Sequence, residues 1–109
     1  MISELQKNVI INTIMAFHPV RIGIFGSMAR GENTENSDID ILYQLKDAVG
    51  LFNIVRMKDN LEEKLNKKVD LVSEKYIHPK LKSHIMSDLI IIYNEEGYSI
   101  TEKSNSKNY

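Results

Sequence analysis

The segment Asp38-Ile39-Asp40-Ile41-Leu42-Tyr43 alternates acidic and aliphatic residues, with the period of two at which a β-strand sends successive side chains to opposite faces. Such a strand buries its aliphatic face and carries two carboxylates on the other, so the chain has to be built around a sheet with an acidic strand start. Residues 20–25, rich in β-branched and aromatic side chains, and residues 68–73 read as two further strands. The stretches around them keep helical spacing. Ile2, Leu5, Val9, Ile10, Ile14 and Phe17 form one stripe, and Leu51, Ile54, Met57, Leu61 and Leu65 form another, with Glu63 and Lys67 spaced for an i,i+4 pair on its outside. His18-Pro19 ends the first helix, because a residue before proline is pushed out of the helical region. Gly26-Ser27 breaks the chain after the first strand and offers an N-cap for a short turn through Met28-Ala29-Arg30. Residues 31–37 are polar and turn-forming. Pro79 suits a first helical turn, and Leu81, Ile85, Met86 and Leu89 give a third stripe. It runs into residues 90–93, which fit helix or strand equally. The order helix, strand, turn, strand, helix, strand, helix describes a small α/β (α+β) domain, a short sheet with helices packed against it.

With 109 residues, 42% of them hydrophobic, the chain has material for one modest core and little for a separate substrate-binding domain. Residues 1–97 are expected to form a single domain and residues 98–109 a polar, disordered tail. Fourteen Lys and Arg against fifteen Asp and Glu leave a formal charge of −1, without the basic footprint of a protein that grips many phosphates of a polynucleotide. Nucleic acid is therefore not the expected substrate. The lack of cysteine excludes disulfides, thiol catalysis and cysteine-ligated metals, and His18, His78 and His84 lack the spacing of a zinc site. No apolar run reaches the roughly 18–20 residues of a membrane span, and Glu4, Gln6, Lys7, Asn8 and Asn12 interrupt the stretch a signal peptide would need. A cytoplasmic protein without membrane association is expected.

On one strand face, Asp38 and Asp40 lie roughly 7 Å apart along the backbone and can converge on a common ion. Like charges so placed are kept mainly where a cation or a shared proton compensates them. Adding Asp70 from another strand makes an oxygen-rich site suited to Mg²⁺ or Mn²⁺, which keep some waters and complete their shell with phosphate oxygens. The same three residues also fit solvated acids on half-exposed strands. Gly26-Ser27 stands where a strand gives way to a helical turn, and backbone N–H groups at such a start form a phosphate site that glycine lets a ligand approach. Arg30 occupies the place where a capping box would have Glu or Gln, a cation near the positive helix end that an anionic ligand would offset; an ordinary corner with an exposed Arg is the alternative. Other phosphate and metal motifs fail. Gly26 and Gly31 have Walker A spacing, but Glu32-Asn33 stands where Lys and Ser or Thr are required, and neither a G-x-G-x-x-G fingerprint nor a full EF-hand loop is present.

Read together, Gly26-Ser27, ten residues, Asp38-Ile39-Asp40, the intervening Arg30-Gly31 and Asp70 after the next helix resemble the signature of the nucleotidyltransferase superfamily of DNA polymerase beta. Within it, residues 25–31 and 37–42 resemble the minimal nucleotidyltransferase, or MNT, group of small prokaryotic proteins, with Met28 where many relatives carry a basic residue. The resemblance implies the nucleotidyltransferase fold, a small mixed sheet flanked by helices, and transfer of a nucleotidyl group from a nucleoside triphosphate to a hydroxyl. It implies Asp38, Asp40 and Asp70 as catalytic metal ligands, with Asp70 helping to activate the attacking hydroxyl, and Gly26, Ser27 and Arg30 as triphosphate contacts. The implied cofactors are Mg²⁺, as two ions about 3.5–4 Å apart, and ATP as donor. The implied partner is a HEPN-domain toxin, silenced by AMP added to a tyrosine, so that the chain acts as its antitoxin. A non-catalytic antitoxin that neutralises its partner by binding, and nucleotidyl transfer to a small molecule such as an aminoglycoside, are the alternatives.

Overall fold

The computed structural model describes residues 1–95. The tail expected at residues 98–109 and the last two residues of the expected domain lie outside the described residues.

The alternating segment forms β2 (Ile39–Leu45), which buries Ile39, Ile41 and Tyr43 on one face. On one side it pairs antiparallel with β1 (Pro19–Phe25), and on the other it runs parallel to β3 (Val69–Ser73). A parallel neighbour needs a crossover rather than a hairpin, and α3 (Leu51–Leu65) supplies it. Residues 90–93, undecided from spacing, belong to a fourth strand, β4 (Ile90–Asn94), antiparallel to β1. The mixed sheet therefore has the order β3-β2-β1-β4.

One face of the sheet meets α1 (Glu4–Met15) and α3. Ile10 and Ile14 of α1, Ile22 and Ile24 of β1, Ile39 and Ile41 of β2, and Met57 and Leu61 of α3 make the core there, all fully enclosed. Helix α1 starts at a capping box, in which Gln6 N donates to Ser3 Oγ at 3.0 Å and Ser3 N to Gln6 Oε1 at 2.9 Å. It stops at Met15, short of Phe17, and His18 takes a positive φ of 59° before Pro19. On the opposite face Leu42 stands in register with Gly23, and Leu89 lies where a Cβ at Gly23 would come within 2.6 Å of it. Leu89 follows α4 (Pro79–Asp88), whose N-cap His78 accepts a hydrogen bond from Lys80 N on Nδ1 at 3.0 Å. A short 3-10 turn, Glu74–Tyr76, separates β3 from α4. No helix among the described residues is long and apolar enough to cross a membrane.

Candidate active site

Because β2 and β3 run in the same direction and β1 runs against them, the starts of β2 and β3 and the end of β1 meet at one end of the sheet. The register is explicit: Phe25 pairs with Asp40, and Asp40 with Asp70. Residues in register on neighbouring strands share a face, with strands roughly 4.8 Å apart. Asp40 and Asp70 thus leave the sheet side by side, away from the isoleucine core. Asp38 was expected on the strand, but β2 begins at Ile39 and leaves Asp38 as an exposed residue of the preceding loop. Its placement therefore depends on what holds that loop.

Two contacts do so. Lys67 donates from Nζ to the carbonyls of Glu35 at 2.8 Å and Ser37 at 3.4 Å, in place of the expected pairing with Glu63. Ser37 Oγ accepts from Thr34 N at 2.8 Å and closes a turn within the loop. Past α3, Asn66 takes a left-handed φ of 53°, and Glu62 Oε2 accepts from Val69 N at 2.9 Å, which fixes the start of β3 and hence Asp70.

Gly26 has a more demanding role than spacing indicated. At φ 77° and ψ −156° it occupies a region essentially reserved for glycine, and a Cβ there would fall inside the Asp40 carboxylate. The backbone passes directly over Asp40. The short helix α2 is Ser27–Arg30, and its N-cap is Gly26 rather than Ser27. Ala29 N and Arg30 N both donate to the Gly26 carbonyl, at 3.0 and 3.1 Å, so the N–H groups of Ser27 and Met28 precede the first intrahelical bond. The Ser27 hydroxyl makes no hydrogen bond with the described residues.

Arg30 corrects an expectation. It sits at the C-terminal end of α2, where a cation suits the helix dipole, so there is no mismatch for a ligand to offset. Its guanidinium donates from Nε to Glu32 Oε1 at 2.8 Å and from Nη1 to Asp88 Oδ2 at 2.7 Å. Neither acid was singled out from spacing. Glu32 reads as part of a polar loop and Asp88 lies unremarked within the third stripe, and only the fold brings them to Arg30. Spacing pairs Lys67 with Glu63 for a different reason, since its actual partners are backbone carbonyls that no side-chain pattern marks.

Burial, then the charges of Asp70 and Asp38, hold the Asp40 carboxyl above the usual carboxylate range, with Arg30 pulling the other way. Asp40 is therefore the point at which the charges of Asp70, Asp38 and Arg30 meet. Among the described residues no three His, Cys, Asp or Glu side chains are already gathered tightly enough to hold a metal ion. The donor set still fits a hard divalent cation of the Mg²⁺ type, which binds through one or two carboxylates together with water and substrate phosphates rather than in a protein-only cage. An open depression of about 510 Å³ beside this end is lined by Asn33, Thr34, Glu35, Leu65, Asn66 and Lys67. A more enclosed groove of about 370 Å³ lies at the far end of β2 and β3, against Tyr43, Leu45, Val49, Leu51 and Tyr76. The acidic cluster, with its charges set against one another beneath a glycine-only turn, is the better candidate for chemistry.

Residues 9–95 match the nucleotidyltransferase domain family. A Methanocaldococcus jannaschii chain provisionally named protein adenylyltransferase is 42% identical over 90 residues, 82% of this chain and 95% of that one. A crystal structure of a toxin–antitoxin with AMP-PNP is similar with a TM-score of 0.74 at 24% identity, over 81% of this chain and 73% of the other. A complex of a tri-AMPylated Shewanella oneidensis HEPN toxin with an MNT antitoxin gives a TM-score of 0.69 at 22% identity, over 84% of this chain and 71% of the other. The likeness to these two structures is one of fold.

Proposed function

The chain belongs to the nucleotidyltransferase domain family, with MNT-type protein adenylyltransferases as homologues, and from that premise we propose that it transfers AMP from ATP to a tyrosine hydroxyl of a partner HEPN toxin and thereby acts as antitoxin. The observation that carries this reading is the ladder Phe25, Asp40, Asp70 with Gly26 folded over the Asp40 carboxylate. It sets two acids side by side next to a turn whose first two backbone donors, Ser27 N and Met28 N, precede the first intrahelical bond. The nucleotide is supported by a structural neighbour that holds AMP-PNP, and the acceptor by one that contains an AMPylated HEPN toxin.

In this reading the N–H groups of Ser27 and Met28 and the Ser27 hydroxyl bind the triphosphate, and Gly26 lets it approach Asp40. Asp38, Asp40 and Asp70 would hold Mg²⁺, which would supply charge neutralisation for an in-line displacement. The acceptor oxygen forms a bond to the α-phosphorus while the bond from that phosphorus to the bridging oxygen breaks. Pyrophosphate leaves with the electron pair. Asp70, exposed at the start of β3, accepts the hydroxyl proton. The acceptor side chain enters from the open depression beside Asn33 and Asn66.

The test is intact mass spectrometry of the partner toxin, co-expressed with wild type or with the Asp38→Ala, Asp40→Ala double variant. Increments of one or more AMP units with wild type alone are expected. A toxin left unmodified by wild type would overturn the reading.

A further inference from the structure

Arg30 makes two unequal ion pairs. Asp88, at the end of α4, is mostly enclosed, with 18% of its side chain exposed; while Oδ2 accepts from Arg30, its other oxygen accepts from Ser87 Oγ at 3.3 Å. Glu32, two residues from Arg30 in the loop, is 66% exposed and has no other side-chain partner among the described residues. An exposed pair is weak and yields to a stronger anion, whereas an enclosed carboxylate in a short charge-assisted hydrogen bond holds its place. The guanidinium lies at the end of α2, whose first residue follows the glycine folded over Asp40. The planar donors of a guanidinium match a phosphate group as well as a carboxylate, so a phosphate can take the place of the exposed Glu32.

We propose that Glu32 is an internal competitor of the nucleotide, occupying the Arg30 donor that a phosphate oxygen of ATP takes, and that Asp88 is the positioning residue that keeps the guanidinium aimed there. This rests on the reading of the chain as an ATP-dependent nucleotidyltransferase. It assigns opposite effects to two carboxylates on one guanidinium. Removing Glu32 frees the donor and strengthens ATP binding; removing Asp88 lets the guanidinium turn away and weakens it. A role in the fold alone, or a general effect of deleting negative charge near an anionic ligand, would move both variants in the same direction.

The experiment is titration calorimetry of ATP with Mg²⁺ on the full chain, with thermal unfolding recorded for every variant. Glu32→Gln is expected to tighten binding about two- to five-fold, the range a released exposed pair allows. Asp88→Asn is expected to weaken it by about five-fold or more, and Asp88→Glu to restore it. In an Arg30→Gln background Glu32→Gln should change nothing, a comparison that stands even if Asp88→Asn fails to fold. Effects of the same sign in the two single variants, or a Glu32→Gln effect that persists without Arg30, would overturn the proposal while leaving the nucleotidyltransferase reading intact. Wild type that binds no ATP would instead overturn that parent reading.

Discussion

Gly26 is the residue at which fold and site constrain each other most tightly. A side chain there would meet both a left-handed φ of 77° and the Asp40 carboxylate, and a non-glycine residue in such a region costs on the order of 1–3 kcal/mol. Gly26→Ala should therefore lower stability by about that amount in denaturant unfolding and also remove ATP binding, because the turn and the carboxylate cannot both stay in place. A stable Gly26→Ala chain with wild-type ATP affinity would contradict the geometry. Asp40 carries the second prediction. Burial and the neighbouring acids raise its pKa, so the folded chain holds the proton more readily than the unfolded one. Its contribution to stability is then fullest below the ordinary value of 3.8 and is lost as pH rises through the raised folded value. Asp40→Asn, which cannot ionise, should raise the unfolding midpoint of the metal-free protein by a few degrees at neutral pH, with the gain vanishing in acid. Unfolding curves at pH 3 and pH 7 test the sign; a midpoint that falls at neutral pH would contradict it.

At the scale of elements, the site depends on how loops are tied to strand starts. Asp38 lies in the loop before β2, and Lys67, from the turn after α3, binds two carbonyls of that loop. Hydrogen bonds from a charged donor contribute about 1.5–3 kcal/mol at most, less where solvent competes. Lys67→Ala should cost about 1 kcal/mol of stability and lower the turnover number about ten-fold with ATP affinity nearly unchanged, since Asp38 loses its placement while the Gly26 turn does not. Steady-state kinetics checks the split; equal losses in stability and in ATP affinity would point to a general loosening instead. The same dependence on loops explains what could be read from the sequence. Period-two alternation marked β2, β-branched runs marked β1 and β3, and the three acids were picked out, because strand periodicity is a local property of neighbouring residues. Residues 90–93 stayed ambiguous because an unbroken apolar run has no period, and only the open edge of β1 makes it a strand. Leu5 and Leu51 fit their stripes by spacing yet are 73% and 78% exposed, since a stripe marks a face and not where the covering element ends. The N-cap at Gly26, the pairing of Arg30 with Asp88 and the tether from Lys67 all join segments distant in sequence or depend on backbone conformation. No local pattern encodes them.

In the molecule as a whole, the core and the acidic end are separable. The isoleucines of β1 and β2 face α1 and α3, while Asp40 and Asp70 leave the opposite face at one end of the sheet. Nothing in the core needs the carboxylates, and Asp40, held above its usual pKa by burial and by Asp70 and Asp38, is destabilising when charged. Removing the acids should cost activity and not fold. This distinction separates two ways of neutralising a toxin. If the chain acts by AMP transfer, an Asp38→Asn, Asp40→Asn double variant should unfold at or above the wild-type midpoint, still co-purify with the toxin, and fail to rescue growth of cells producing it. If occlusion of the partner is enough, the same folded variant should protect as well as wild type. Growth rescue is therefore to be read beside the unfolding midpoint and the co-purification, because only a variant that folds and binds can show whether the acids act through chemistry. Protection by such a variant would leave the partner-facing surface as the source of neutralisation and the acidic ladder without a part in it.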